Sequence, residues 1–66
     1  MFEVNNLRVR ELILKSGLTM AAFAAQSGLN QLTLRRVLKD GAKAKIPTIA
    51  ALAKFFNVDA AELIKS

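Results

Sequence analysis

The triplets Gly17-Leu18-Thr19 and Gly28-Leu29-Asn30 repeat one punctuation: a glycine, an apolar residue, then a residue able to cap a helix. Glycine takes the left-handed conformation that closes a helix, and a threonine or asparagine oxygen accepts a hydrogen bond from the first turn of the next. The stretch between the triplets is therefore a short helix, Met20 to Ser27, with a helix ending before it and another beginning after it. A chain punctuated in this way folds as short helices crossing at tight turns.

The same signals extend outward. Asn5 or Asn6 can cap a first helix that runs to about Ser16, and Asn30 opens a third that runs to Lys39, where Asp40 and Gly41 break it. Pro47 suits the first turn of a fourth helix, where its missing N–H costs nothing, and that helix reaches Phe56 before Asn57 ends it. In VDAAELI, Asp59 caps a fifth, Glu62 holds the reciprocal capping-box position and Val58 can staple onto Leu63. No strand-rich region, repeat or low-complexity linker interrupts the series. The expectation is an all-α, compact five-helix bundle forming one domain over residues 1–66, with helices two and three paired over about 19–39.

Apolar spacing assigns the inward faces. Val9, Leu12, Ile13 and Ser16 share one side of the first helix, Phe23 and Ala24 lie on the second, and Leu34, Val37 and Leu38 on the third. Ile49, Leu52, Ala53 and Phe56 belong to the fourth, with Leu63 and Ile64 closing the end. Leu7 and Leu14 fall outside this pattern; either the fifth helix or the Phe2 to Val4 arm covers them, or they meet a partner.

Composition narrows the chemistry. A chain of 66 residues buries only about 60% of its unfolded surface. Cysteine is absent, so packing alone holds the core. Histidine, tyrosine and tryptophan are absent too, which removes the usual general base and the commonest metal ligand. Neither an enzymatic role nor a cofactor, metal or small-molecule ligand is expected. No apolar run approaches the roughly 18 residues of a membrane span, and the N-terminus lacks signal-peptide features, so a cytoplasmic protein without membrane contact is expected.

Ten Lys and Arg against five Asp and Glu leave a net charge of +5, which favours polyanions because neutralised phosphates release counterions. From Leu12 to Lys39 there is no acid, and RRVLKDGAKAK sets its cations against Asp40 alone. Helices two and three, joined by a short glycine-containing turn, have the spacing of a helix-turn-helix; an ordinary helical hairpin would share it. With Leu34, Val37 and Leu38 turned inward, a step of about 100° per residue sets Leu32, Arg35, Arg36 and Lys39 on the opposite side. Gln31 stands beside the cap Asn30 at the leading edge, where a recognition helix touches bases. A solvated face on a basic protein is the plainer alternative.

Over Val9 to Ile64 the chain resembles the Cro/C1-type, or XRE, helix-turn-helix family of phage and bacterial repressors. The resemblance is carried by the GLT before the second helix, Phe23-Ala24, GLNQLTLRRVL, the glycine after the third helix, and LAKFFNVDAAEL. It implies a lambda-repressor-like bundle whose third helix enters the major groove of double-stranded DNA. Asn30, Gln31, Leu32, Arg35 and Arg36 then face base edges: Gln31 can pair with adenine, Leu32 can meet a thymine methyl, and an arginine can take guanine O6 and N7. Which arginine reads a base is open. Phosphate contacts fall to Thr19, Lys39, Lys43, Lys45 and Thr48, helped by unpaired N–H groups at the starts of the second and fourth helices.

The chain departs from the family pattern in three respects. Met20 replaces a glutamine that touches phosphate and supports the residue at Gln31. Ile13 and Leu38 replace an arginine–glutamate pair, which predicts that the two touch. The end of the third helix is one residue longer. One small module covers roughly 600 to 1,000 Å² of protein surface on DNA, so a homodimer on a palindromic site is expected, with Leu7, Leu14, Phe2 and Ile64 as candidate contacts. The function implied is sequence-specific transcriptional repression. An antitoxin with a toxin partner, or a basic protein-interaction module, are the alternatives.

Overall fold

The computed structural model describes residues 1–65. It contains four α-helices, α1 (Asn6–Ser16), α2 (Met20–Ser27), α3 (Gln31–Val37) and α4 (Ile46–Phe56), followed by a 3-10 turn at Ala60–Leu63. The expected fifth α-helix is therefore a single tight turn. Asp59 does cap it, accepting from the Ala61 N–H, but the Glu62 carboxylate reaches the Arg8 guanidinium on α1 instead of closing a capping box. Ile64 is extended and bridges Val4, so the chain leaves the helical path after Leu63.

Two short strands also form. β1 (Phe2–Glu3) pairs antiparallel with β2 (Lys43–Ala44), placing Phe2 opposite Ala44 and Glu3 opposite Lys43. The Val4 N–H continues the ladder to the Ala42 carbonyl at 2.8 Å, and on the other side the Lys65 N–H donates to the Glu3 carbonyl at 2.9 Å. The N-terminal arm thus lies between the loop before α4 and the C-terminal segment. This is where Val4 is buried, a position that helical spacing alone does not mark.

The predicted caps stand. Asn5, Thr19 and Asn30 accept hydrogen bonds from the Arg8, Ala22 and Thr33 N–H groups. Asn6 becomes the first residue of α1 and is buried. Gly28 ends α2 at φ +77°; a Cβ built there meets nothing within 4 Å, so backbone conformation and not lack of room selects glycine. Asn57 does the same work for α4 at φ 56°.

Val9, Leu12, Phe23, Leu34, Val37, Ile49, Leu52, Ala53 and Leu63 form the core with Val4 and Ala44. Phe23 stacks on Phe55 with ring centroids 5.0 Å apart and meets Phe56 edge-on at 5.2 Å, which fastens α2 to α4. Ile13, Ala24, Leu38, Phe56 and Ile64 are half-buried around this core. Ser16 is a correction: it is exposed, its hydroxyl donating to the Ile13 carbonyl at the end of α1. Leu7 and Leu14 are 73% and 81% exposed, so neither the arm nor the 3-10 turn covers them.

Candidate nucleic-acid interface

α3 is seven residues long, too short to be stable alone, and depends on its buried side. Leu34 and Val37 are 0% and 2% exposed, and Leu38 is half-buried. One helical step away, Gln31, Leu32, Arg35 and Arg36 are all exposed, Leu32 by 58%. The structure therefore presents the expected side chains together along one outer face. Asn30 sits at its leading end with Oδ1 engaged as the cap at 2.8 Å, leaving its amide NH2 as the outward group.

The expected end of α3 moves. The helix stops at Val37, two residues before Lys39, with Leu38 as a right-handed C-cap. No left-handed residue follows until Gly41, so the Leu38 and Lys39 N–H groups turn back by tighter bonds to the Arg35 and Arg36 carbonyls, at 3.3 and 3.2 Å. Lys39 is exposed in this turn and does not extend the helical face.

The remaining candidates lie on three other elements. Thr19 is the exposed N-cap of α2, Lys43 is exposed on β2, and Lys45 is the N-cap of α4 with no side-chain hydrogen bond. Thr48 is half-buried in the first turn of α4, where the Thr48 and Ile49 N–H groups both donate to the Lys45 carbonyl. Pro47 contributes no donor, so the Ile46 N–H is the group this helix start offers an anion. At the start of α2, Thr19 takes the Ala22 and Phe23 N–H groups, leaving those of Met20 and Ala21. Met20 itself packs against the core.

Charge is sorted across the molecule. Glu11 takes Arg8 and Lys15, Glu62 takes Arg8, and Glu3 takes Lys65 at 3.5 Å. Arg8 is held above the ordinary arginine pKa, first by its hydrogen bond to Glu62 and, against some desolvation, by Glu11. Asp59 caps the 3-10 turn and Asp40 accepts from Asn6. Among the described residues Arg10, Arg35, Arg36, Lys39, Lys43, Lys45 and Lys54 have no carboxylate partner; Arg10 lies on α1 and Lys54 on α4, and the other five lie on α3 or between α3 and α4.

Three residues that spacing did not single out also belong here. Arg10 of α1 donates to the Leu38 carbonyl through Nη2 at 2.6 Å and Nε at 3.2 Å, and Asn6 Nδ2 donates to Asp40 Oδ1 at 2.7 Å. The available signals were the spacing of Asn6 and Arg10, one turn apart, and the lack of a glycine directly after α3. Ile13 and Leu38 both lie half-buried against the same core.

Among the described residues no helix is long and apolar enough to cross a membrane, and no cluster of metal-binding side chains occurs. A family model described as helix-turn-helix matches residues 9–63. Comparison with curated proteins and with solved structures gives no match.

Proposed function

Because the chain belongs to the Cro/C1-type (XRE) helix-turn-helix family of DNA-binding transcription regulators, we propose that it is a small sequence-specific repressor that lays α3 in a major groove. The observation that carries this reading is the sorting of charge. The three glutamates pair with cations of α1 and the C-terminal segment, while five unpaired cations gather on α3 and the loop after it, where the one acid, Asp40, is turned to Asn6. Basic residues spread for solubility alone would not be separated from their counterions in this way.

Gln31, Leu32, Arg35 and Arg36 are the proposed base-reading side chains, with Asn30 reaching through its free amide NH2. Thr19, Lys39, Lys43, Lys45 and Thr48 are the proposed phosphate contacts, which fix register without carrying sequence information. With Met20 turned into the core, Gln31 works without a supporting glutamine. Repression follows from occupancy of the site, by two copies on a palindrome one helical turn apart. The exposed Leu7 and Leu14 are the favoured dimer contacts. Ile64, bridged to Val4 and half-buried, is the least available of the four candidates.

The test is a titration of two duplexes, one selected from a random pool and one of random sequence, at two salt concentrations. Non-specific binding collapses as salt rises, whereas a preference for the selected duplex persists. Equal affinity for both duplexes at the higher salt would overturn the proposal.

A further inference from the structure

α3 ends unlike its neighbours. α1, α2 and α4 close on the left-handed residues Gly17, Gly28 and Asn57, whereas α3 closes on right-handed Leu38, at φ −88° and ψ −7°. At this right-handed end the Leu38 and Lys39 N–H groups turn back to the Arg35 and Arg36 carbonyls, which leaves the Leu38 carbonyl itself to find a partner. Here the partner comes from another helix, because the Leu38 carbonyl accepts two hydrogen bonds from Arg10. A cation at that end is also favoured by the helix dipole.

The second contact lies one turn back on α1. Asn6 and Arg10 are four residues apart and share a helix face, and Asn6 holds Asp40, two residues beyond Leu38. Asn6 is 8% exposed and is the one buried polar side chain among the described residues. Two donors on one rigid helix therefore grip the chain at positions 38 and 40. Leu34 and Val37 hold α3 down along a line, and the Asn30 cap fixes its start; rotation about that line at the far end is what the two donors resist.

We propose that Asn6 and Arg10 are positioning residues for DNA recognition, forming a clamp from α1 that sets the tilt of α3 and so the angle at which Arg35 and Arg36 meet the groove. The clamp rests on the reading of α3 as the base-reading helix. Groove hydrogen bonds tolerate displacements of only about 0.5 Å or 10–20°, so a loosened end costs discrimination before it costs general attraction. Arg10 is exposed, so its removal costs the fold little, whereas the buried Asn6 serves the fold as well as the clamp.

The experiment measures binding of the selected and random duplexes across a salt series for the wild type, Arg10→Ala, Asn6→Asp and the double variant Asn6→Asp/Asp40→Asn. Circular dichroism fixes a temperature at which each is folded. Asn6→Asp sets two carboxylates against each other, and the double variant restores the hydrogen bond with donor and acceptor exchanged at unchanged net charge. Arg10→Ala and Asn6→Asp are expected to lose roughly tenfold on the selected duplex, as for one charge-assisted hydrogen bond, with little change on random DNA or in salt slope. The double variant is expected to recover the preference.

If Arg10→Ala weakens both duplexes equally and lowers the salt slope by about one, Arg10 is a phosphate contact and the clamp is overturned. An undiminished preference in Arg10→Ala, or no recovery in the double variant, also overturns it while leaving the reading of α3 intact. A wild type without any preference overturns that reading, and the clamp with it. Should Asn6→Asp not fold, the Arg10→Ala outcome decides alone.

Discussion

Leu32 and Leu34 are the same residue type two positions apart on α3, and the structure gives them opposite consequences. Leu34 is 0% exposed and Leu32 is 58% exposed. Leu34→Ala removes buried methyl groups from the side that pins α3, at a cost of about 2 to 5 kcal/mol. A chain of this length has a total stability of only about 3 to 10 kcal/mol. At about 4 to 8 °C per kcal/mol for a small domain, a loss near 3 kcal/mol lowers Tm by about 20 °C. Leu32→Ala changes a surface position, where substitutions stay within about 0.5 kcal/mol, so Tm moves by no more than about 4 °C. On the selected duplex, however, the exposed half of the leucine is worth about 1 kcal/mol if a thymine methyl covers it, which is roughly a fivefold rise in Kd. Thermal melting by circular dichroism and fluorescence anisotropy with the two duplexes separate the effects. If Leu32→Ala melts as low as Leu34→Ala, or if it binds the selected duplex like the wild type, the assignment of faces to α3 is wrong.

Further outcomes follow from neighbouring residues. Arg35→Ala and Arg36→Ala distinguish their roles in the same anisotropy assay: the base-reading arginine costs about 1 to 3 kcal/mol on the selected duplex alone, and a phosphate contact costs both duplexes alike. The double change Lys43→Ala/Lys45→Ala is expected to weaken both duplexes equally and to reduce the salt slope by about two, measured from affinity against salt concentration. Asn30→Ala removes the cap on Thr33 and is expected to lower stability by about 1 kcal/mol in denaturant titration. Leu7→Glu/Leu14→Glu is expected to leave Tm unchanged while sedimentation on a palindromic duplex shows one bound copy where the wild type gives two.

Much of the frame was legible because it is written in local chemistry. Thr19, Asn30 and Asp59 cap from positions fixed relative to their own helices, and Gly17, Gly28 and Asn57 end helices by conformations few residues adopt. The outward set on α3 was legible for the same reason, since Leu34 and Val37 determine which side faces away. What escaped reading depends on residues distant in sequence. β1 forms because the loop before α4 offers it a partner, and the alternation in Phe2-Glu3-Val4 is too short to reveal this. The end of α3 was placed too late because Leu38 and Lys39 are compatible with helix and the first breakers are Asp40 and Gly41; the grip of Asn6 and Arg10, from more than twenty residues upstream, holds the turn instead. Glu62 has the spacing of a capping box, yet Arg8 is close enough to claim it.

The arm from Phe2 to Val4 has a consequence for the making of the protein. Val4 pairs with both the loop at Ala42 and the segment at Ile64, so the arm finds its place through residues that follow it far along the chain. Long-range pairing of this kind is slow to form and cannot reward the chain until the intervening loop is closed. On the ribosome, α2 and α3 can meet early through local contacts, while the arm waits for the 63–65 segment to emerge. A chain that stops within α4 would carry α3 with Val4 unpaired and Leu63 missing, leaving the helix without its completed core. A chain cut before Leu63 is therefore expected to melt at a lower temperature than one that carries the 63–65 segment.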